Sequence, residues 1–127
     1  MLARYRIVRG KRPPDEPLPE GRRIDIRKHT SHVLRPDAAL VAMYLKRPDA
    51  ANFKRYQAAY LARLRQRFAE DRAPFDALAA EAAQSDVYLG CNCPTAKNPD
   101  VRHCHTYLAL RFMKQKYPKL EVVLPDV

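Results

Sequence analysis

"DVYLGCNCPTAKNPDVRHCHTYLALRFMKQKY", residues 86–117, decides the fold class. In its opening "DVYLGCNC", Val87, Leu89, Cys91 and Cys93 share parity, so an extended chain points all four side chains one way. Further on the period changes. Val101, Cys104, Leu108 and Phe112 recur at helical spacing, the stripe of a helix that packs on a sheet, and "HCHTYLALRFMKQKY" reads as that helix. A strand feeding such a helix is half of a parallel crossover, and "LEVVLP" beyond it reads as a fourth strand.

Working outward, the chain repeats this alternation. "ARYRIVRG" sets Tyr5 and Ile7 against Arg4 and Arg6, a half-buried first strand. "KRPPDEPLPEG" is too rich in proline for helix or central strand and reads as a surface loop. "RRIDIRK" is a short second strand with Ile24 and Ile26 on one face, Asp25 and Arg27 on the other, running into the polar loop "HTSHVLRPD". Asp37 is placed to cap a helix through "AALVAMYLK" that stops near Pro48. Asp49 or Asn52 opens a longer helix reaching about Asp71, with Phe53, Tyr56, Tyr60, Leu64 and Phe68 as its inward stripe. Lys54, Arg65 and Arg72 share another face, read as solvated. Pro74 suits the first turn of a further helix carrying Phe75, Leu78, Ala79 and Ala82 inward. The expectation is a single α/β domain over residues 1–127, with a mostly parallel sheet of about four strands flanked by helices.

Composition narrows the class of protein. At 127 residues with 46% hydrophobic side chains, the chain can bury a real core, and 11 prolines against 3 glycines point to stiff loops. No apolar run approaches the roughly 20 residues that span a bilayer. "MLARYRIVRGKR" threads charge where a signal peptide needs an apolar stretch, so a soluble, cytoplasmic protein without a membrane partner is expected. The net charge of +10 favours an anionic partner, a nucleotide or nucleic acid. It is concentrated at the start, whereas Pro74 to Asp86 holds only acidic charges.

All three cysteines fall between Cys91 and Cys104. An odd number argues against a closed disulfide framework. Cys91 and Cys93 are poor partners for one another, because Cα atoms two apart in a strand lie about 6.6 Å apart. Three chemistries remain open. Cys91, Cys93, Cys104 and either His103 or His105 form a Cys₃His donor set that suits zinc, although C-x-C followed by H-C-H is not zinc-ribbon spacing. Alternatively one thiol reacts: with Asn98 as helix cap Cys104 falls in the second turn, with Asp100 in the first, and His103 or His105 could take its proton. Thirdly, the cysteines fill space as small buried hydrophobes.

A second group of residues follows the second strand. In parallel α/β sheets ligands gather beyond the carboxyl ends of strands. If this strand neighbours Val87–Cys93, Arg27 suits a phosphate with its planar fork, and Thr30 and Ser31 could donate hydroxyls. Asp25 could orient Arg27 or a histidine. The plainer alternative is an Asp25–Arg27 pair that ties the loop down.

These motifs together resemble a known family. "IDIR" after a first strand, a helical middle, a strand ending in cysteine and a "CH" at the last helix are similar to the domain of unknown function 488 family, from about Tyr5 to Leu124. Its early Asp-x-Arg is matched by Asp25 and Arg27, and its Cys-x-Cys strand end by Cys91 and Cys93. Of its late Cys-His-Arg, Cys104 and His105 match while Thr106 stands in place of arginine, with Arg102 as the candidate substitute. The resemblance implies a small α/β fold and a site on these residues, and carries no activity with it.

The site is therefore expected to comprise Cys91, Cys93, Cys104, His105 and Asp25 as catalytic residues, with Arg27, His29, Thr30, Ser31 and Arg102 binding a phosphate-bearing ligand. Cys91, Cys93, Cys104 and His103 are the alternative metal ligands, zinc being the candidate ion. The rival from another class is a nucleic-acid-binding module driven by Arg4, Arg6, Lys11, Arg12, Arg22 and Arg23.

Overall fold

Val87–Cys91 forms the central strand, β3, of a three-stranded parallel sheet in the computed structural model, which describes residues 1–125. Leu2–Arg6 (β1) lies on one side, with Leu2 opposite Val87 and Arg6 opposite Cys91. Arg22–Asp25 (β2) lies on the other, with Arg22 opposite Val87 and Asp25 opposite Gly90. The sheet order is β1-β3-β2. Three helices separate β2 from β3: α1 (Ala38–Lys46), α2 (Ala50–Glu70) and α3 (Ala73–Gln84). A short 3₁₀ turn, Val101–His103, precedes the last helix, α4 (His105–Lys116). Among the described residues the single α/β domain is present; residues 126 and 127 lie outside them.

The predicted helical stripes account for most of the core, but the alternation of the first strand does not: β1 contributes Leu2 to it, on the face opposite the expected Tyr5 and Ile7. Leu2, Val87, Leu89 and Ile26 from one face of the sheet join Phe53, Tyr60, Leu64, Phe75, Leu78, Leu108 and Phe112 in one buried cluster. Burying each large apolar side chain contributes about 1.5–3 kcal/mol. Phe68 sits at the margin of that cluster, edge-on to Phe75 and Phe112. On the other face Tyr5 and Ile7 cross directly over Gly90. A Cβ there would come within 2.7 Å of Tyr5 Cε1 and 2.8 Å of Ile7 Cδ1, so a larger residue would have to push those side chains aside.

Two expectations are corrected. "LEVVLP" does not form a fourth strand: its pairing is an isolated parallel bridge between Leu2 and Val122, held by Leu2 N–H on the Glu121 carbonyl and Val123 N–H on the Leu2 carbonyl. Leu120 is buried, but Val123 and Leu124 stand in solvent and Pro125 has no N–H to extend a ladder. Asp37 holds the N-cap position of α1 as expected, but its side chain makes no bond to the helix N-terminus. Its carboxylate accepts instead from Arg63 (2.9 Å) and Arg67 (3.4 Å), tying α1 to α2. Asp49 does cap α2, accepting from Asn52 N–H at 2.9 Å.

Candidate functional site

All three strands run the same way, so their carboxyl ends share one edge of the sheet. There the last residue of β3, Cys91, meets the start of α4. Asp100 caps the 3₁₀ turn rather than the helix, and the chain restarts as α4 with Cys104 in the N-cap position and His105 in its first turn. Cys104 thus sits at the positive helix end itself, whereas a cap at Asp100 or Asn98 would have placed it four or six positions into the helix.

This juxtaposition collects the thiols. Cys104 Sγ lies 3.4 Å from Cys91 Sγ, and with Cys93 all three sulfurs fall within 4.8 Å of one another. Cys91 and Cys104 are buried and Cys93 is partly exposed. His105 Nδ1 is 3.7 Å from Cys104 Sγ and 3.8 Å from Cys91 Sγ. Its Nε2 lies 2.9 Å from the Ile26 carbonyl. A carbonyl can only accept, so Nε2 carries a hydrogen and Nδ1 is the nitrogen that exchanges a proton with sulfur.

The surroundings decide which sulfur ionises. Thiol hydrogen bonds from Cys91 and then Cys93, outweighing burial and aided by the His105 charge, hold Cys104 well below the usual thiol range. The same contacts act oppositely on their donors. Bonding to Cys104 and burial push Cys91 far up, and bonding to Cys104 pushes Cys93 up to about 11. Burial alone would depress the His105 imidazole, but the Cys104 charge and hydrogen bond hold it up at about 10. The state these shifts favour is a buried Cys104 thiolate against a His105 imidazolium.

Two residues that the sequence reading assigned elsewhere support this pair. Thr106 Oγ1 lies 3.3 Å from Cys104 Sγ and receives a hydrogen bond from Arg4 Nε at 3.0 Å. Because Arg4 donates to the hydroxyl oxygen, the hydroxyl hydrogen is free to point at sulfur. Arg4 also donates to the Cys93 carbonyl, so one guanidinium from β1 braces both halves of the cysteine motif. Arg102, the expected substitute for the arginine missing at Thr106, does not reach the cluster. It chelates Asp100 and is half-buried.

The cluster forms the floor of a cavity of about 250 Å³ lined also by Arg27, Lys28, His29, Tyr44, Tyr56 and His103. Asp25 grips Arg27 through Nε and Nη2, so the fork expected for a phosphate is closed on this carboxylate and Nη1, 3.3 Å from Asn92, is the end it leaves. Burial would raise the Asp25 carboxyl, yet the Arg27 bonds keep it below its ordinary value. His29 Nε2 lies 3.5 Å from the same carboxylate. Asp25 therefore orients Arg27 and His29 from behind and does not itself line the cavity. Thr30 is occupied by the turn, donating to the Arg27 carbonyl, and Ser31 lines a separate groove with Arg35 and Arg67. His103 does not join the sulfurs; its ring stacks on Phe53 at 4.4 Å and forms part of the cavity wall. Asn98 links the loop across the mouth, accepting from the Tyr44 hydroxyl and donating to the His103 carbonyl and Cys93 Sγ.

Tyr56 was legible only as core. Its ring is 3% exposed, yet it lines the cavity and makes no hydrogen bond within the described chain, whereas the Tyr60 hydroxyl bonds the Leu34 carbonyl. Burial, reinforced by the Cys104 charge, pushes its phenol well up, so it stays a donor. The signal available in the sequence was a phenol in an otherwise apolar stripe, because a buried tyrosine hydroxyl needs a partner.

The three sulfurs could hold a metal ion, and His105 Nδ1, not His103, is the imidazole nitrogen beside them. As an inventory of donors the set fits zinc, which takes thiolate and imidazole.

Parallel strands under one layer of helices, with a Cys/His/Arg cavity at the strand ends, define a small α/β protein with a strand-end site. The chain belongs to the DUF488 family: the model of its DUF488-N3a branch, described as the active DUF488-N3 subclade, matches residues 4–117. No curated protein and no solved structure shows significant similarity to the chain.

Proposed function

We propose that the protein is a thiol-dependent enzyme acting on a small phosphate-bearing ligand, with a nucleotide as the leading candidate. The observation that carries the reading is the Cys104 sulfur itself, set at a helix N-terminus against His105 Nδ1, Cys91 and Thr106, on the floor of a cavity. Cys104 Sγ is the nucleophile. It forms a bond to the transferred group as the leaving atom departs with the Nδ1 proton of His105, and water then releases the group and restores both charges. Arg27 and Lys28 at the cavity supply cations for the phosphate, with Arg27 pre-set by Asp25. Tyr44, Tyr56 and the His103 ring offer aromatic wall for a base, and 250 Å³ suits one small ligand rather than a polymer.

A second reading has its own support. Sulfurs within 4.8 Å of one another and an imidazole whose far N–H is tied to a backbone carbonyl also match a metal–thiolate centre, where such a tie fixes the ligating ring. The nucleic-acid module has less. Of its cations, Arg4 is turned inward to Thr106, Arg6 is on Glu16, Arg22 is on Glu81, and Arg12 and Arg23 bind carbonyl oxygens.

The test takes purified protein, free of chelator, through elemental analysis and then a panel of nucleoside 5′-phosphates. Turnover is expected with metal-free protein, lost in Cys104→Ser while that variant still unfolds cooperatively, and binding is expected to weaken at least ~10-fold in Arg27→Met. Stoichiometric metal whose removal unfolds the chain would replace this reading with the second. A Cys104→Ser variant that turns over as fast as the parent would end it.

A further inference from the structure

Cys91 and Cys104 have a relation that nucleophilic catalysis does not use. Their sulfurs are 3.4 Å apart, closer than ordinary packing needs, although the two residues belong to different elements and are 13 positions apart. Closing to a disulfide requires about 1.4 Å of approach, given an S–S bond of about 2.05 Å. Cys104 and Cys91 both line the cavity, so a small oxidant entering it meets this pair. Cys93 is the nearest competitor, but it leaves β3 beyond the strand end, and its sulfur is engaged by the Asn98 amide at 3.5 Å.

We propose that Cys104 and Cys91 form a peroxide-reactive dithiol, a site of reversible oxidative modification whose oxidant is hydrogen peroxide. Cys104 sulfur attacks one peroxide oxygen, the O–O bond breaks, and the departing hydroxide leaves as water with the one proton that Cys104 Sγ and His105 Nδ1 share. Cys104 is then a sulfenic acid. Cys91 sulfur attacks Cys104 sulfur, the S–S bond forms as S–O breaks, and the second hydroxide leaves as water with the Cys91 proton. Two thiols supply the two electrons that reduce one peroxide to two waters. The disulfide removes the nucleophile from the cavity floor, and an external dithiol restores it.

The inference rests on Cys104 being the reactive sulfur, but its readout is mass and thiol count, independent of turnover. Full-length, metal-free protein is treated with a small excess of hydrogen peroxide, quenched in denaturant with a maleimide, and analysed intact and as peptides. The expected product takes one maleimide where untreated protein takes three, is lighter by two hydrogens before labelling, and joins the Cys91 and Cys104 peptides. Dithiothreitol returns three labels. Cys93→Ser is expected to cross-link at the parent rate, and Cys91→Ser to stop at a Cys104 sulfenic acid that dimedone traps. Three labels after treatment, a bridge that uses Cys93, or a Cys91→Ser variant that cross-links as readily as the parent would each overturn the proposal. If turnover is absent while the Cys91–Cys104 bridge forms, the enzyme reading fails and the dithiol stands.

Discussion

Tyr56 and Arg4 show how much of the site depends on single atoms. Replacing Tyr56 with phenylalanine removes one hydroxyl and keeps the buried ring. The thermal midpoint is expected to change little, while ligand binding weakens by about 1 kcal/mol, roughly fivefold, measured by calorimetry on parent and variant. Arg4→Lys keeps the charge but loses the fork that reaches both Thr106 and the Cys93 carbonyl. Its expected mark is on chemistry: the pH at which Cys104 becomes alkylable moves upward, with Thr106→Val giving the same shift. A normal alkylation profile in both variants would reduce Arg4 to a structural brace. Residue identities at the floor were readable, since three thiols and two imidazoles within one short stretch stand out in any sequence. Arg4 was not readable, because nothing local in an alternating strand distinguishes an inward arginine from a solvated one; its partner lies 102 positions away.

Elements position these atoms through their ends. β3 delivers Cys91 and α4 delivers Cys104, and the 3₁₀ turn between them sets which residue caps the helix. Gly90 is the weak point of the scaffold. Gly90→Ala is expected to cost about 1–3 kcal/mol, because Tyr5 and Ile7 already occupy the space of its Cβ, and chemical denaturation would measure the loss. Asp49→Ala, which removes the α2 cap, is expected to cost about 1 kcal/mol. The elements were mostly legible. Period-2 alternation located three strands and helical stripes located four helices to within a few residues. What failed had physical causes outside local pattern. "LEVVLP" has the composition of a strand but only a single bridge to β1. Asp37 has the chemistry of a cap but is drawn off by two arginines of α2.

The whole molecule adds proton linkage and long-range charge. In the unfolded chain His105 titrates near 6.5 and Cys104 near 8.5, roughly the ordinary values. In the fold the thiol is held far lower and the imidazole up at about 10. Between about pH 6.5 and 8.5 the folded ion pair and the unfolded neutral pair bind equal numbers of protons, so this pair leaves stability flat. Below that window the unfolded histidine gains a proton, and stability falls as the pH drops toward the folded thiol value. Above it the unfolded thiol loses its proton while folded His105 keeps one, so stability falls again toward about pH 10. Thermal midpoints across this range should trace a plateau with two shoulders; Cys91 and Cys93, whose folded thiols stay protonated above the unfolded value, deepen the alkaline one, so Cys104→Ser should shrink it without removing it. No described helix is long and apolar enough to cross a membrane. The direct test of the central claim, that Cys104 is a thiolate open to the cavity, is its alkylation rate by iodoacetamide against pH in metal-free protein, resolved by peptide. Cys104 is expected to react first of the three cysteines, at a rate that stays level from about pH 8 down to about pH 6. A Cys104 rate that falls tenfold per pH unit below about 8.5, as an ordinary thiol's does, would contradict it, as would labelling confined to Cys93.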